Sequence, residues 1–122
     1  MRLLLVFIFL PLLMGASDIR AQVSERNLPF QRLIELAEQE QEAEAQYILG
    51  LKYYNGDSVP QDFVKARKWF EKSAHQGHVD AQYNFGVMYH EGQGGPQDND
   101  KAQEWIEKVV LQRLPWGDLA SD

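Results

Sequence analysis

A twelve-residue phrase occurs twice in this chain, 36 positions apart. AQYILGLKYYNG begins at Ala45, and AQYNFGVMYHEG begins at Ala81. When residues 43–72 are aligned with residues 79–108, fourteen of the thirty positions are identical, whereas ordinary residue frequencies give about two. Self-similarity at such a period is the signature of a repeat array, in which each unit buries its apolar face against a neighbour.

Each copy contains two helical patterns separated by a loop. Ala45, Leu49 and Tyr53 recur at i, i+4 and i+8, so they form one stripe on the face of an α-helix. The loops NGDSVPQ and EGQGGPQ each carry a glycine where a C-terminal cap belongs and a proline that stops the helix. Asp62 and Asp98 are the predicted N-caps of the second helices. Because the copies follow each other closely, neighbouring helices are expected to be antiparallel.

A glycine interrupts the first helix of each copy. Glycine in a helix interior costs about 1 kcal/mol relative to alanine, so its presence in both copies predicts a close approach of the paired helix. We expect Gly50 to face Ala66 and Gly86 to face Ala102. The predicted structural residues are Gly50, Ala66, Trp69, Gly86, Ala102 and Trp105.

One more amphipathic pattern precedes the first copy, over residues 27–41. It is similar to the second half of a repeat that lacks its first half. The sequence therefore predicts an all-α fold, an α-solenoid of antiparallel helix hairpins with about five helices. The predicted division is a signal peptide over 1–21, a segment with a capping helix over 22–42, repeats over 43–78 and 79–113, and a tail over 114–122. Leu114, Pro115, Trp116 and Leu119 are expected to cover the last hairpin.

The first 21 residues have the layout of a secretory signal peptide. Arg2 precedes an apolar run from Leu3 to Met14, and small residues follow; the run is too short to span a bilayer as a stop-transfer helix. Cleavage is expected after Ala21 or, as a weaker alternative, after Ser17, and an uncleaved anchor is the other interpretation. We therefore expect a periplasmic or secreted protein, with no stable membrane insertion after cleavage.

The acidic charge of the chain narrows the choice of partner. The 12 basic and 18 acidic residues give a formal net charge of −6. Such a balance argues against nucleic acid or an anionic membrane as the partner. The chain has no cysteine, so its stability depends on packing rather than on the disulfides that small exported domains often use.

The first copy closely resembles the Sel-one-like repeat, a branch of the tetratricopeptide superfamily. The matching pattern is A-x-x-x-L-G-x-x-Y-x-x-G, then P-x-D-x-x-K-A-x-x-W-F, then A-x-x-G. The second copy follows it through Lys108 and then departs, with Val110, Leu111 and Arg113 in place of the expected residues. The resemblance implies an α-solenoid that binds another protein or peptide, usually without catalysis, and it implies no cofactor.

In tetratricopeptide-like solenoids the first helices line a concave face, and the resemblance places the binding site there. Tyrosine on a rigid surface suits recognition, because it offers area and a hydroxyl group at low entropy cost. The alternative is that Tyr47 and Tyr83 simply pack between hairpins. The predicted binding residues are Glu44, Tyr47, Leu51 and Tyr54 in the first copy and Asp80, Tyr83, Val87 and His90 in the second.

No catalytic or metal-binding residues are predicted. His75 and His78 straddle Gly77, where the helix is expected to end, so we interpret them as a C-terminal histidine near the helix dipole and an N-cap residue. The motifs G-x-S-x-G and S-x-x-K do not occur in the sequence. The predicted function is an exported, non-enzymatic module that binds another protein or peptide. The alternatives are a cell-envelope hydrolase and a structural subunit or truncated member that self-associates as a homo-oligomer.

Overall fold

The computed structural model describes residues 29–115, and all the regular elements in that range are α-helices. They are α1 (Phe30–Glu38), α2 (Ala43–Asn55), α3 (Phe63–His75), α4 (Val79–Glu91) and α5 (Asn99–Arg113). Each helix packs mainly on its neighbours in the sequence, so α1 is followed by the hairpins α2–α3 and α4–α5. The predicted all-α fold is confirmed. The predicted signal peptide, Trp116 and Leu119 lie outside the described residues.

Cap residues set the ends of the hairpin helices. The Asp62 and Asp98 carboxylates each accept the backbone N–H of the residue three positions later, at 3.0 Å in both copies. Gly56 and Gly92 end α2 and α4 in the left-handed region, with φ of 69° and 68°, where a side chain would be strained. The helix ends predicted at these four positions are confirmed.

The cap at Asp62 has a measurable consequence. Asp62→Ala removes the acceptor of one otherwise unpaired N–H at the start of α3, so we expect the free energy of unfolding to fall by about 1 kcal/mol. Urea titration followed by circular dichroism measures the change. The control is Glu104→Ala, at an exposed position inside α5, which should change stability by less than about 0.5 kcal/mol. Equal losses in both variants would contradict a capping role.

α1 occupies the place of the second helix of a repeat. The Gln46 side-chain amide donates to the backbone oxygen of Ala37 at 3.1 Å, and Gln82 donates to Ala74 at 3.2 Å. The contact between α1 and α2 therefore repeats the contact between α3 and α4, as the half-repeat interpretation predicts. α1 ends at Glu38 rather than at residue 41, because the chain already turns there toward α2.

Two apolar clusters hold the helices together. The first lies between α1 and α2, and Trp69 of α3 packs against it. The second joins α3 to α4 and includes Trp105 of α5, which is 8% exposed. The buried members are Leu33, Leu36, Ala37, Ala45, Ile48 and Leu49 in the first cluster, and Ala66, Phe70, Ala74, Ala81, Phe85, Met88 and Trp105 in the second.

Gly50 admits a close neighbour, but the neighbour is Phe70 rather than the predicted Ala66. A methyl group at Gly50 would lie 2.5 Å from Cδ1 of the Phe70 ring, and its three nearest atoms would all belong to that ring. Helical side chains lean toward the N-terminus of their helix. The ring of Phe70 therefore reaches back over the turn that contains Ala66 and fills the space left by the glycine.

Gly86 repeats this arrangement in a looser form. A methyl group there would lie 3.1 Å from Cδ1 of Ile106 and 3.3 Å from the backbone oxygen of Ala102. The predicted contact with Ala102 is thus present through its backbone, while Ile106 supplies the nearest side chain. Because Ile106 stands at the repeat position of Phe70 and has a smaller side chain, the second hairpin is less tightly filled at this point.

Candidate protein-binding surface

The first hairpin is covered by α4 on the side that faces the second. Tyr47, Leu51 and Tyr54 are half-buried and pack against the second apolar cluster. The Tyr47 ring also stacks on the imidazole of His78, with 4.5 Å between ring centroids. These three predicted binding residues therefore have a packing role between repeats, and Leu51 and Tyr54 also line a small open pocket between α2 and α4.

The two predicted binding carboxylates make links within the chain. Nδ1 of His78 accepts the N–H of Ala81 at the start of α4, so its Nε2 carries the proton and donates to Glu44 at 2.5 Å. In the second copy, Arg113 donates to Asp80 at 2.6 Å. Glu44 thus ties α2 to the start of α4, and Asp80 ties α4 to the end of α5.

Two polar side chains of the first hairpin reach into the loop between α4 and α5. Arg67 is 8% exposed and donates to the backbone oxygens of Gln93 at 3.2 Å and Pro96 at 3.1 Å. Its guanidinium carbon lies 4.0 Å from the centroid of the Tyr89 ring, a cation–π contact. The Tyr54 hydroxyl donates to the Gln93 side chain at 3.3 Å. We call Arg67 and Tyr54 the inter-repeat clamp.

The corresponding face of the second hairpin is uncovered within residues 29–115. Here α4 and α5 enclose a groove of about 820 Å³. The exposed fraction is 51% for Tyr83, 50% for Val110 and 53% for Leu111, which is high for apolar side chains gathered on one surface. We call this surface the C-terminal groove, defined by Tyr83, Val87, His90, Ile106, Val110 and Leu111.

Three predicted binding residues, Tyr83, Val87 and His90, line the C-terminal groove. The clamp, in contrast, has no counterpart there, because Gln103 stands at the repeat position of Arg67 and His90 at that of Tyr54. Nδ1 of His90 lies 3.0 Å from the side-chain oxygen of Asn99. The second hairpin therefore keeps the apolar side chains of the stacking face and loses the polar groups that hold a following loop.

The charged side chains that line the C-terminal groove are acidic. Glu91 and Glu107 lie along its edge, and no lysine or arginine is among its lining residues. Glu107 accepts a hydrogen bond from the Gln103 amide at 2.9 Å, which leaves its charge in place. The C-terminal groove therefore has an apolar lining and a negatively charged edge.

The histidines of the α3–α4 turn have structural contacts. The ring of His75 stands edge-on to Trp105, with 5.1 Å between centroids, and His78 is the N-cap of α4. Within residues 29–115, no group of three or more histidine or acidic side chains is arranged to hold a metal ion. None of the five helices described has the length and apolar character needed to cross a bilayer.

The second hairpin ends differently from the first. After α3, Gln76 donates to the Gln46 side chain at 2.7 Å, and Gly77 turns the chain with φ of 91°. Arg113 stands at the repeat position of Gly77, so α5 continues through it. Gln82, the counterpart of Gln46, is left with a buried side-chain oxygen that has no hydrogen-bond partner in the described part of the chain. The repeat pattern is therefore broken at the end of α5.

The duplicated helix hairpins, each packed on the next, define an α-solenoid repeat protein. The family model described as Sel1 repeat matches residues 43–78 and 79–108, so the chain belongs to the Sel1-repeat family. Proteins of this family are typically protein-interaction scaffolds and are generally non-catalytic. No curated protein sequence matches the chain.

Solved structures show the same fold. A protective antigen present in uropathogenic Escherichia coli strains, displaying an SLR fold, is 36% identical with a TM-score of 0.67, over 75% of this chain and 19% of that one. A Sel1 repeat protein from Oxalobacter formigenes is 41% identical with a TM-score of 0.60, over 66% of this chain and 24% of its own length. This chain thus spans about a fifth to a quarter of both relatives.

The match to a third solved structure covers a larger share of that protein. Cysteine rich protein B of Helicobacter pylori has a TM-score of 0.66 and 24% identity, over 80% of this chain and 71% of that chain. At that identity the likeness concerns the fold alone. The present chain has no cysteine, so no disulfide joins its hairpins, which pack through the apolar clusters and the inter-repeat clamp.

Proposed function

We propose that this protein is an exported, non-enzymatic interaction module that binds another protein through the C-terminal groove. The observation that carries the proposal lies within the chain itself. The stacking face of the first hairpin buries a helix, α4, whereas the same face of the second hairpin leaves Tyr83, Val110 and Leu111 about half exposed. An apolar surface of this kind on a small domain marks an interaction site.

Export and the absence of catalysis are supported by separate observations. Residues 1–21 have the order of a secretory signal peptide, a basic start followed by an apolar run and small residues. Two of the three histidines, His75 and His78, are engaged in ring packing and helix capping. The family supports a scaffold rather than an enzyme.

The test of the groove is a pair of matched substitutions. Val110→Arg places a charge in the C-terminal groove, and Val64→Arg places the same charge on α3, where Val64 is 51% exposed. Both sites are open to solvent, so both variants should keep the wild-type fold. After cross-linking in cells and purification from the periplasmic and secreted fractions, we expect a partner with wild type and with Val64→Arg. We expect its recovery with Val110→Arg to fall at least about tenfold, because a buried unpaired charge opposes binding.

Two results would count against this function. Equal recovery of the partner with Val110→Arg and Val64→Arg would remove the groove as the binding surface. Failure to recover any protein with the wild type, in either fraction, would argue against an exported binding module altogether.

A further inference from the structure

Resting on the proposed function, we infer that the C-terminal groove takes a single amphipathic helix with basic side chains, contributed by another protein. The occupant is not a further repeat of the same kind. Three features of the described residues carry this inference: the internal template for a docked helix, the loss of the inter-repeat clamp, and the acidic edge of the groove.

The internal template is α4, which docks on the first hairpin. It buries Ala81, Phe85 and Met88, each no more than 2% exposed, at positions i, i+4 and i+7 of one helical face. The C-terminal groove is built from the repeat counterparts of the residues that receive α4. At its centre Ile106 replaces Phe70, and the smaller side chain leaves depth for an apolar side chain of the docked helix.

The absence of a clamp at the C-terminal groove favours a single docked helix over a whole docked repeat. A following repeat would bring a loop like the one at 92–97, whose backbone oxygens Arg67 binds with charge-assisted hydrogen bonds. At the C-terminal groove the residue in that place is Gln103, which is neutral and already bonded to Glu107. The second hairpin can therefore bury the apolar side of a helix but has no cation to hold the loop that would follow it.

The charge of the groove selects a basic partner. A helix in the place that α4 takes on the first hairpin would run parallel to α4, so its C-terminal end would lie beside Glu91. Cations in the last turn of a helix are favoured by the helix dipole, and here they would also face Glu91, with Glu107 further along the edge. Lysine or arginine in the last turns of the docked helix is therefore doubly favoured.

Charge also disfavours the two occupants that this chain could supply. Its last residues include Asp118 and Asp122, which have the same sign as the edge of the groove. A second copy of the chain, docked through the same surface, would bring one acidic groove edge, with Glu91 and Glu107, close to another of the same charge. Like charges placed opposite each other cost binding energy.

The probes are two 13-residue peptides with the sequence of residues 79–91, the helix that the chain itself docks. Both keep Asp80 in the first turn; one keeps Glu91 in the last turn, and the other carries Glu91→Lys. A lactam between positions 86 and 90, which line the C-terminal groove and not the side of α4 that meets the first hairpin, holds both peptides helical. Their binding to the purified mature chain is measured by fluorescence anisotropy at low and at high salt.

We expect the lysine peptide to bind at least about tenfold more tightly than the acidic peptide at low salt, with a smaller difference at high salt. Val110→Arg should remove binding of both peptides, and Val64→Arg should not. Exchanging both acids of the groove, Glu91→Lys with Glu107→Lys, should reverse the order of the two peptides. Glu71→Lys, at the repeat position of Glu107, is the charge control and should leave the order unchanged.

The contrary results each have a distinct meaning. Equal affinity of the two peptides would overturn the basic character of the partner. If neither peptide binds while the cellular partner still depends on Val110, the helical occupant is wrong and the proposed function stands. If Trp116→Ala with Leu119→Ala tightens both peptides at least tenfold, the tail of this chain is the occupant. A dimer that Val110→Arg dissociates in light scattering would identify a second copy instead.

Discussion

Gly50→Leu is expected to lower the free energy of unfolding by about 3 kcal/mol, at the upper end of the usual cost of overpacking. A single methyl group at this position would already lie 2.5 Å from the Phe70 ring. Phe70 is 1% exposed and packs within the second apolar cluster, so moving its ring would disturb the contacts of that cluster. Removing the glycine improves helix propensity by about 1 kcal/mol at most, which is smaller than the clash.

Two alanine variants, Gly50→Ala and Gly86→Ala, test whether the clash with the Phe70 ring causes the loss of stability. Gly50→Ala should still destabilise by about 1–2 kcal/mol, whereas Gly86→Ala should lie within about 0.5 kcal/mol of wild type. The methyl group at Gly86 meets the end of the half-buried Ile106 side chain at 3.1 Å, which can shift, and the backbone oxygen of Ala102 at 3.3 Å. The cost of that second, milder contact is offset by the gain in helix propensity. Thermal and urea unfolding of the three variants measure these differences. Equal stabilities of Gly50→Ala and Gly86→Ala would show that Phe70 yields, and the account of the tight hairpin would be wrong.

The fold was predictable because both copies carry the same local signals for the face, the start and the end of each helix. The stripe of apolar residues determines the helical face, Asp62 and Asp98 mark where the second helices begin, and Gly56 and Gly92 mark where the first helices end. Each of these signals acts over only a few residues, so it can be recognised in a single sequence. Their repetition at a period of 36 then indicates that the hairpins stack.

The contact at Gly50 was harder to predict, because it depends on which way a side chain leans. Spacing alone makes Ala66 a reasonable neighbour, since both residues are small. The ring of Phe70 instead reaches back one turn and takes the space. The sequence therefore indicates that a close approach occurs but not which side chain makes it.

The candidate binding residues show a second limit of prediction from the sequence, namely which repeat positions are accessible. Tyr54 and His90 occupy the same repeat position, yet Tyr54 packs between the hairpins while His90 lines an uncovered groove. The two residues differ because the second hairpin packs on the first, whereas no further hairpin packs on the second within residues 29–115. Repeat periodicity assigns equivalent positions, but only the packed structure distinguishes a stacking residue from an accessible one.

Arg67 was missed for a related reason. Its partners, Gln93 and Pro96, lie 26 and 29 residues further along the chain, and its repeat counterpart Gln103 is a different residue. In the sequence it is one basic residue among several on a helix that otherwise has an exposed charged face. Only its burial and its two backbone acceptors show that it joins the hairpins.

Arg67→Ala is accordingly expected to lower the free energy of unfolding by about 2–3 kcal/mol. The substitution removes two hydrogen bonds from a charged donor and the contact of the guanidinium with the Tyr89 ring. Arg67→Lys should recover only part of the loss, because an ammonium group cannot reproduce the planar fork that reaches both carbonyl oxygens.

The control is Gln103→Ala, which alters the equivalent position of the second hairpin. Gln103 is exposed and bonds only to Glu107 on its own helix, so we expect a change of less than about 0.5 kcal/mol. Urea unfolding gives the global loss, and hydrogen exchange of the α4–α5 loop shows whether the two hairpins have separated. Because Arg67 is the buried cation between the repeats, its removal should raise exchange in that loop more than in α2. If Arg67→Ala is as stable as Gln103→Ala and the loop stays protected, Arg67 does not hold the two hairpins together. The loss of the clamp would then no longer distinguish the C-terminal groove from the face that receives α4.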